Sequence, residues 1–171
     1  MILLDCEASG LASKSYPIEI AWLNVATFEE DSFLINPFSC STWDHWDHSA
    51  EQIHGLCVNE LIEKGITVQE AAERLSGSLS GQKVYTDCPA HDYTWVQRLY
   101  SVANARMDVR FGDVFDLVHE PHYEEFGRQL RMHRRPHRAL PDCYAIYNAL
   151  EALPHGAFIS SPMRKVLSQV S

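Results

Sequence analysis

Three strand-like segments crowd into the first 36 residues, and this most constrains what the chain can fold into. "MILLDCE", "PIEIAWLNV" and "DSFLINP" are rich in β-formers and separated only by short turns. Connections that short do not carry a crossover, so the three strands form an antiparallel meander. Two more strand-like segments follow, "QKVYTD" and "VRFGDVFDLV", set among helical patterns. Val68, Ala72, Leu75 and Leu79 recur at helical spacing behind a capping Thr67. Helices are also read in "DYTWVQRLYSVA", with Trp95, Leu99 and Val102 on one face, in "YEEFGRQLRMH" and in "ALPDCYAIYNALEAL". In the last, Pro141 stands near the start, where proline is tolerated. The expected fold class is α/β: a mixed five-stranded sheet with strands 1–3 antiparallel and helices on both faces. The "SSPMRKVLSQVS" end reads as a short terminal helix. The 171 residues suit a single domain over 1–171.

Two acids do not fit this pattern. Asp5 and Glu7 follow the apolar run Ile2-Leu3-Leu4, and the two-residue period of a strand puts both on one face. Adjacent like charges at the edge of a core are costly unless neutralised. Either the strand end is solvated or a cation sits there. Asp142 raises the same question: with Ile146, Ala149 and Leu153 it forms one helical face, otherwise apolar. It is either part of a site or an acid favourably placed in a first helical turn. Asp92 stands at the start of the helix carrying Trp95, where a capping acid is ordinary. Asp87 competes with it for any role, or is a turn residue. His137 lies five residues before Asp142 and means little in isolation.

Composition bounds the function. The net charge of −9 argues against broad electrostatic attraction to nucleic acid. Five of the 14 Lys and Arg residues nonetheless fall in one strip: Arg128, Arg131, Arg134, Arg135 and Arg138. The strip is either a solvated helix end or a local grip on phosphates. The five cysteines are scattered and never form a CxxC pair, so we expect reduced thiols and no zinc site. No apolar run approaches the roughly 18 residues of a membrane helix, and no signal-peptide pattern is present. A cytoplasmic protein without membrane contact is the expectation.

Taken together, "LDCEASGL", "YTDCPAHDYTWVQRL" and "HRALPD" resemble the DEDDh group of DnaQ-like 3′–5′ exonucleases. Asp5 and Glu7 match the first motif, D-x-E, and Asp92 the acid of the second. His137 and Asp142 match the third, H-x-x-x-x-D, and "QIHGL" matches the "HGI" element between the first two. The likeness spans roughly residues 1–153. Cys6 stands where threonine is usual, "ASGL" where "TTGL" is frequent, and Asp87 where the family often has asparagine.

The resemblance implies an RNase H-like fold and a metal-dependent 3′–5′ exonuclease. Its substrate would be single-stranded nucleic acid, RNA or DNA, with a free 3′ end, released as nucleoside 5′-monophosphates. It implies two divalent cations, Mg²⁺ with Mn²⁺ able to substitute, held by Asp5, Glu7, Asp92 and Asp142. Hard oxygen ligands suit these ions. It implies His137 as general base, for which an imidazole pKa of about 6.5 is suited.

Position in the motifs assigns Ser9, Gly10, Leu11, Ile53 and His54 to the terminal nucleotide; the basic strip, which leads directly into His137, assigns Arg138 to the strand's phosphates. Leu11 and Ile53 can stack on the last base; Ile53 has an equal reading as core, and Gly10 as a turn glycine. Trp43 and Trp46 either stack on bases or pack on their own loop. Several relatives pair, so a homodimer is compatible. The competing reading is a DnaQ-like module that binds nucleic acid or a partner with little or no cutting. A polymerase-tethered subunit is a third, for which an extra tail or clamp-binding segment would be expected.

Overall fold

The computed structural model describes residues 1–132 and 137–159. The expected terminal helix, together with Arg134 and Arg135, lies outside them. The meander is present as β1 (Ile2–Ala8), β2 (Pro17–Asn24) and β3 (Glu29–Leu34). β1 and β2 pair antiparallel from Ile2↔Asn24 to Glu7↔Glu19, with a register shift before Ala8. β4 (Lys83–Thr86) and β5 (Arg110–Asp113) extend the sheet in parallel, in the order β3-β2-β1-β4-β5. β1 is therefore central. The fifth strand is shorter than its sequence suggests. Asp113 accepts a hydrogen bond from the Phe115 amide at 2.9 Å, which starts a short 3₁₀ turn over Val114–Leu117.

Helices α3 (Val68–Leu79) and α4 (Pro89–Val102) cover one face of the sheet; α5 (Tyr123–Met132) and α6 (Ala139–Glu151) cover the other. Leu4, Ile18, Ile20 and Val84 pack under α3 and α4. Leu3, Ala21 and Leu23 pack under α6 with Ile146 and Ala149. Thr67 and Glu70 complete the capping box that starts α3. Two further helices, α1 (His48–His54) and α2 (Val58–Lys64), occupy a region with no readable helical pattern. Seven residues are too few to display a 3.6-residue period. Asp47 caps α1, and Gly55, at φ 71°, ends it.

Among the described residues, no helix is long and apolar enough to cross a membrane. Trp43 stacks on Tyr16, ring centroids 4.6 Å apart, and Trp46 donates to Glu51 at 2.8 Å. Both tryptophans of the aromatic loop are thus engaged by residues outside it, Trp43 by the lead into β2 and Trp46 by α1.

Gly65 and Gly77 test the packing in opposite directions. A Cβ at Gly65 would lie 2.4 Å from the Leu61 carbonyl oxygen and 2.6 Å from the Asn36 amide nitrogen, both rigid backbone. Gly77, within α3, has nothing within 4 Å. Gly65→Ala should destabilise by about 1–3 kcal/mol, and Gly77→Ala should stabilise by about 1 kcal/mol. Chemical denaturation of the two variants checks both signs.

Candidate active site

The acids meet because of where three elements begin or end. Leu3, Asp5 and Glu7 share the α6-facing side of β1; Leu3 is fully buried, Asp5 is 8% exposed and Glu7 is half-buried. Asp142 enters from the first turn of α6 and is buried over the same side. Asp92 enters from the first turn of α4, on the opposite face of the sheet. Cys88 is the N-cap, and Pro89 occupies the first helical turn, where its missing amide proton costs nothing. The helix therefore starts earlier than the sequence suggests, and Asp92 lies within it.

The Thr86 hydroxyl, fully buried, donates to Asp92, and the Cys6 backbone and thiol also donate to it. The parallel strands β1 and β4 both end here, and the chain leaves in opposite directions along the sheet. Crevices at such a switch point are the usual ligand sites of α/β folds.

The result is a cleft of about 190 Å³ lined by Asp5, Glu7, Asp87, Asp92, His137 and Asp142, with Leu11, Cys88, His91 and Trp95 at its sides. A Glu7 oxygen, a His137 ring nitrogen and an Asp142 oxygen lie within 4.8 Å of one another. His137 is exposed at the mouth, its backbone in the left-handed region at φ 51°.

Crowding shifts the acids upward. Burial, then the charges of Asp92, Glu7, Asp142 and Asp87, hold Asp5 well above the usual carboxylate range. Burial, then Asp142, Glu19 and Asp92, push Glu7 up to about 8 despite the opposing Arg138. Burial pushes Asp92 up to about 7, against the hydrogen bond from Thr86. These groups cannot all ionise at neutral pH without a compensating positive charge. The donor set is hard carboxylate oxygen with one imidazole, which fits a divalent cation.

A second cleft of about 280 Å³ adjoins the first and shares Glu7, Leu11, Trp95 and His137 with it. Gly10, Leu11, Ile53 and His54 line it. Leu11 is 73% exposed and Ile53 56%, so neither is core. His54 is buried; its Nδ1 accepts from the Leu56 amide at 3.0 Å, and burial lowers its pKa, favouring the neutral ring. Gly10 is required: at φ 149°, a Cβ would lie 2.8 Å from that of Asp47.

Two expected substrate residues line neither cleft. Ser9 is fully buried, its hydroxyl accepting from the Tyr16 amide at 3.2 Å. Arg138 is engaged by Glu19, with nitrogen–oxygen distances of 2.9 and 2.8 Å. In the same basic strip, Arg128 pairs with Glu125 at 2.6 Å.

Sequence reading missed Trp95 as a wall of both clefts and His91 beside it, the two rings 5.3 Å apart. The available signal was spacing, since Trp95 lies one turn beyond Asp92.

This sheet, with helices on both faces, is an RNase H-like α/β fold. Solved structures that share it include those of E. coli exonuclease I. The form bound to a zinc ion and single-stranded DNA matches at a TM-score of 0.66 and 14% identity, covering 99% of this chain and 40% of its own. The complex with a dA16 oligonucleotide matches at 0.67 and 16%, covering 88% and 39%. The chain thus spans about two-fifths of the length of these structures. No family model matches the chain, and no curated protein matches it in sequence. At such identities the likeness is one of fold.

The crowded acids predict an unusual pH dependence for the metal-free protein. Glu7 and Asp92 bind protons in the folded state that the unfolded chain, with carboxylates near pKa 4, has released. Their contribution is fully present below about pH 4 and is lost as pH rises toward 8. Thermal melts in chelator should show a lower Tm at pH 8 than at pH 5, and Mn²⁺ should raise Tm more at pH 8. A Tm that is flat across this range and indifferent to Mn²⁺ would refute the electrostatic account.

Proposed function

We propose that this chain is a metal-dependent 3′–5′ exonuclease that hydrolyses single-stranded nucleic acid to nucleoside 5′-monophosphates. The observation that carries the reading is the convergence of four carboxylates from β1, α4 and α6 on one cleft, with an exposed histidine at its mouth. The exonuclease I neighbours were solved with single-stranded DNA, which supports a single-stranded substrate.

In this reading Asp5, Glu7, Asp92 and Asp142 hold two divalent cations, Mg²⁺ or Mn²⁺. When bound, such ions lower the pKa of the attacking water and stabilise the charge that develops on the departing oxygen. His137, in reach of solvent, takes the proton from that water at a ring nitrogen. Leu11, on the lip after β1, and Ile53, on α1, flank the terminal base in the adjoining cleft, where every base offers an apolar face. Trp95 forms the wall between base and acids. Gly10 keeps the lip close to Asp47, and Ser9 ties it to Tyr16.

His137→Ala should lower turnover of a 3′-labelled single strand in Mg²⁺ by about 10²–10⁴-fold, and Asp5→Ala should abolish it. Undiminished cleavage in either variant would overturn the assignment. Leu11→Ala removes an exposed side chain, so Tm should hold while KM rises roughly tenfold, equivalent to about 1.4 kcal/mol of lost contact.

A further inference from the structure

The pattern "PIEIAW" places Glu19 on the α6-facing side of β2, between residues that face the other core. Glu19 is 3% exposed and pairs directly across the sheet with Glu7. A carboxylate buried there requires partners, and it has three. One oxygen accepts from Arg138 Nη2 at 2.8 Å; the other accepts from Arg138 Nε at 2.9 Å and from the Ala139 amide at 3.0 Å. The planar fork of arginine matches both oxygens at once, which fixes direction as well as distance.

These contacts fall at the start of α6. Arg138 is its N-cap residue and makes no side-chain capping bond of its own. Glu19, 119 residues away in sequence, supplies the acceptor that a capping side chain would otherwise provide. The Arg138 carbonyl in turn accepts from the Asp142 amide at 3.0 Å. His137 immediately precedes this clamp, in a left-handed conformation that a non-glycine residue holds only when its surroundings impose it.

We propose that Glu19 is a positioning residue: acting through Arg138, it holds the His137 backbone so that the imidazole faces Glu7 and Asp142. The inference rests on the reading of His137 as the base. It gives Arg138 a part in the reaction without contact to the strand.

The test is a double-mutant cycle on the full chain, with kcat and KM on a 3′-labelled single strand and Mn²⁺ affinity measured by titration calorimetry so that each variant is assayed at saturation. Glu19→Gln should lower kcat, read at saturating Mn²⁺, by up to about 10²-fold, the scale of a misplaced catalytic group, with KM within about twofold of the parent. In the His137→Ala background the same substitution should cost nothing further, because the group it positions is gone.

Glu19→Gln leaves Arg138 without its charged partner and risks misfolding. The double variant Glu19→Gln/Arg138→Met removes both charges and should show the same kcat loss, again abolished in His137→Ala. Parent-like kcat in a folded clamp variant, or an equal loss with and without His137, would overturn the proposal and leave the exonuclease reading standing. Full activity of His137→Ala would instead overturn that reading itself.

Discussion

Mutual repulsion of buried carboxylates is the constraint around which the structure is arranged. Asp5, Asp92 and Asp142 are all nearly excluded from water, and Glu7 is half-buried among them. Burial is the largest cause of the upward shift in Asp5, Glu7 and Asp92, and neighbouring acids add to it in each. Hydrogen bonds from Thr86 and Cys6 offset only part of this for Asp92. A fold that tolerates such an arrangement must hold the acids on rigid supports. The central strand β1 and the first turns of α4 and α6 provide them.

The supports come from opposite sides of the sheet. α4 packs over Leu4 and Val84, α6 over Leu3 and Ala21, and both helices begin beside the end of β1. The two apolar cores therefore set the site geometry: moving either helix along the sheet would separate its acid from Asp5 and Glu7. The lip after β1 is held in a different way, by backbone hydrogen bonds from the Ser9 amide to Tyr16 and from the Asp47 amide to Ser9, and by the close approach that Gly10 permits. Leu11 and Ile53 remain exposed on either side of the adjoining cleft, one on the lip and the other on α1.

Elements with strong local signals were legible in the sequence. The meander, α3 and α6 have clear periodicity, and Asp5, Glu7 and Asp142 stand out as charges on otherwise apolar faces. The short helices α1 and α2 were not legible, and β5 ends sooner than its apolar run because Asp113 captures the Phe115 amide. Ser9 was expected beside a substrate on motif position, and Arg138 as the end of a basic strip that leads into His137. Ser9 is instead enclosed by the turn it stabilises, and Arg138 is turned toward Glu19. Both preferences arise from partners remote in sequence, 7 and 119 positions away.

By itself the sequence determined the α/β class, the strand that carries two acids on one face, and the set of acids and histidine spaced for a shared site. The first two follow from side-chain period, a local property; the third is what the resemblance of the motifs to the DEDDh group implies. Only the tertiary structure decided that Asp92 and Asp142 reach the same cleft from opposite faces, that Trp95 walls it, and that a buried Glu19 anchors the turn bearing His137. Those outcomes depend on how the sheet stacks its helices and which buried charge finds which partner. Such pairings are set by desolvation across the fold, and no local spacing encodes them.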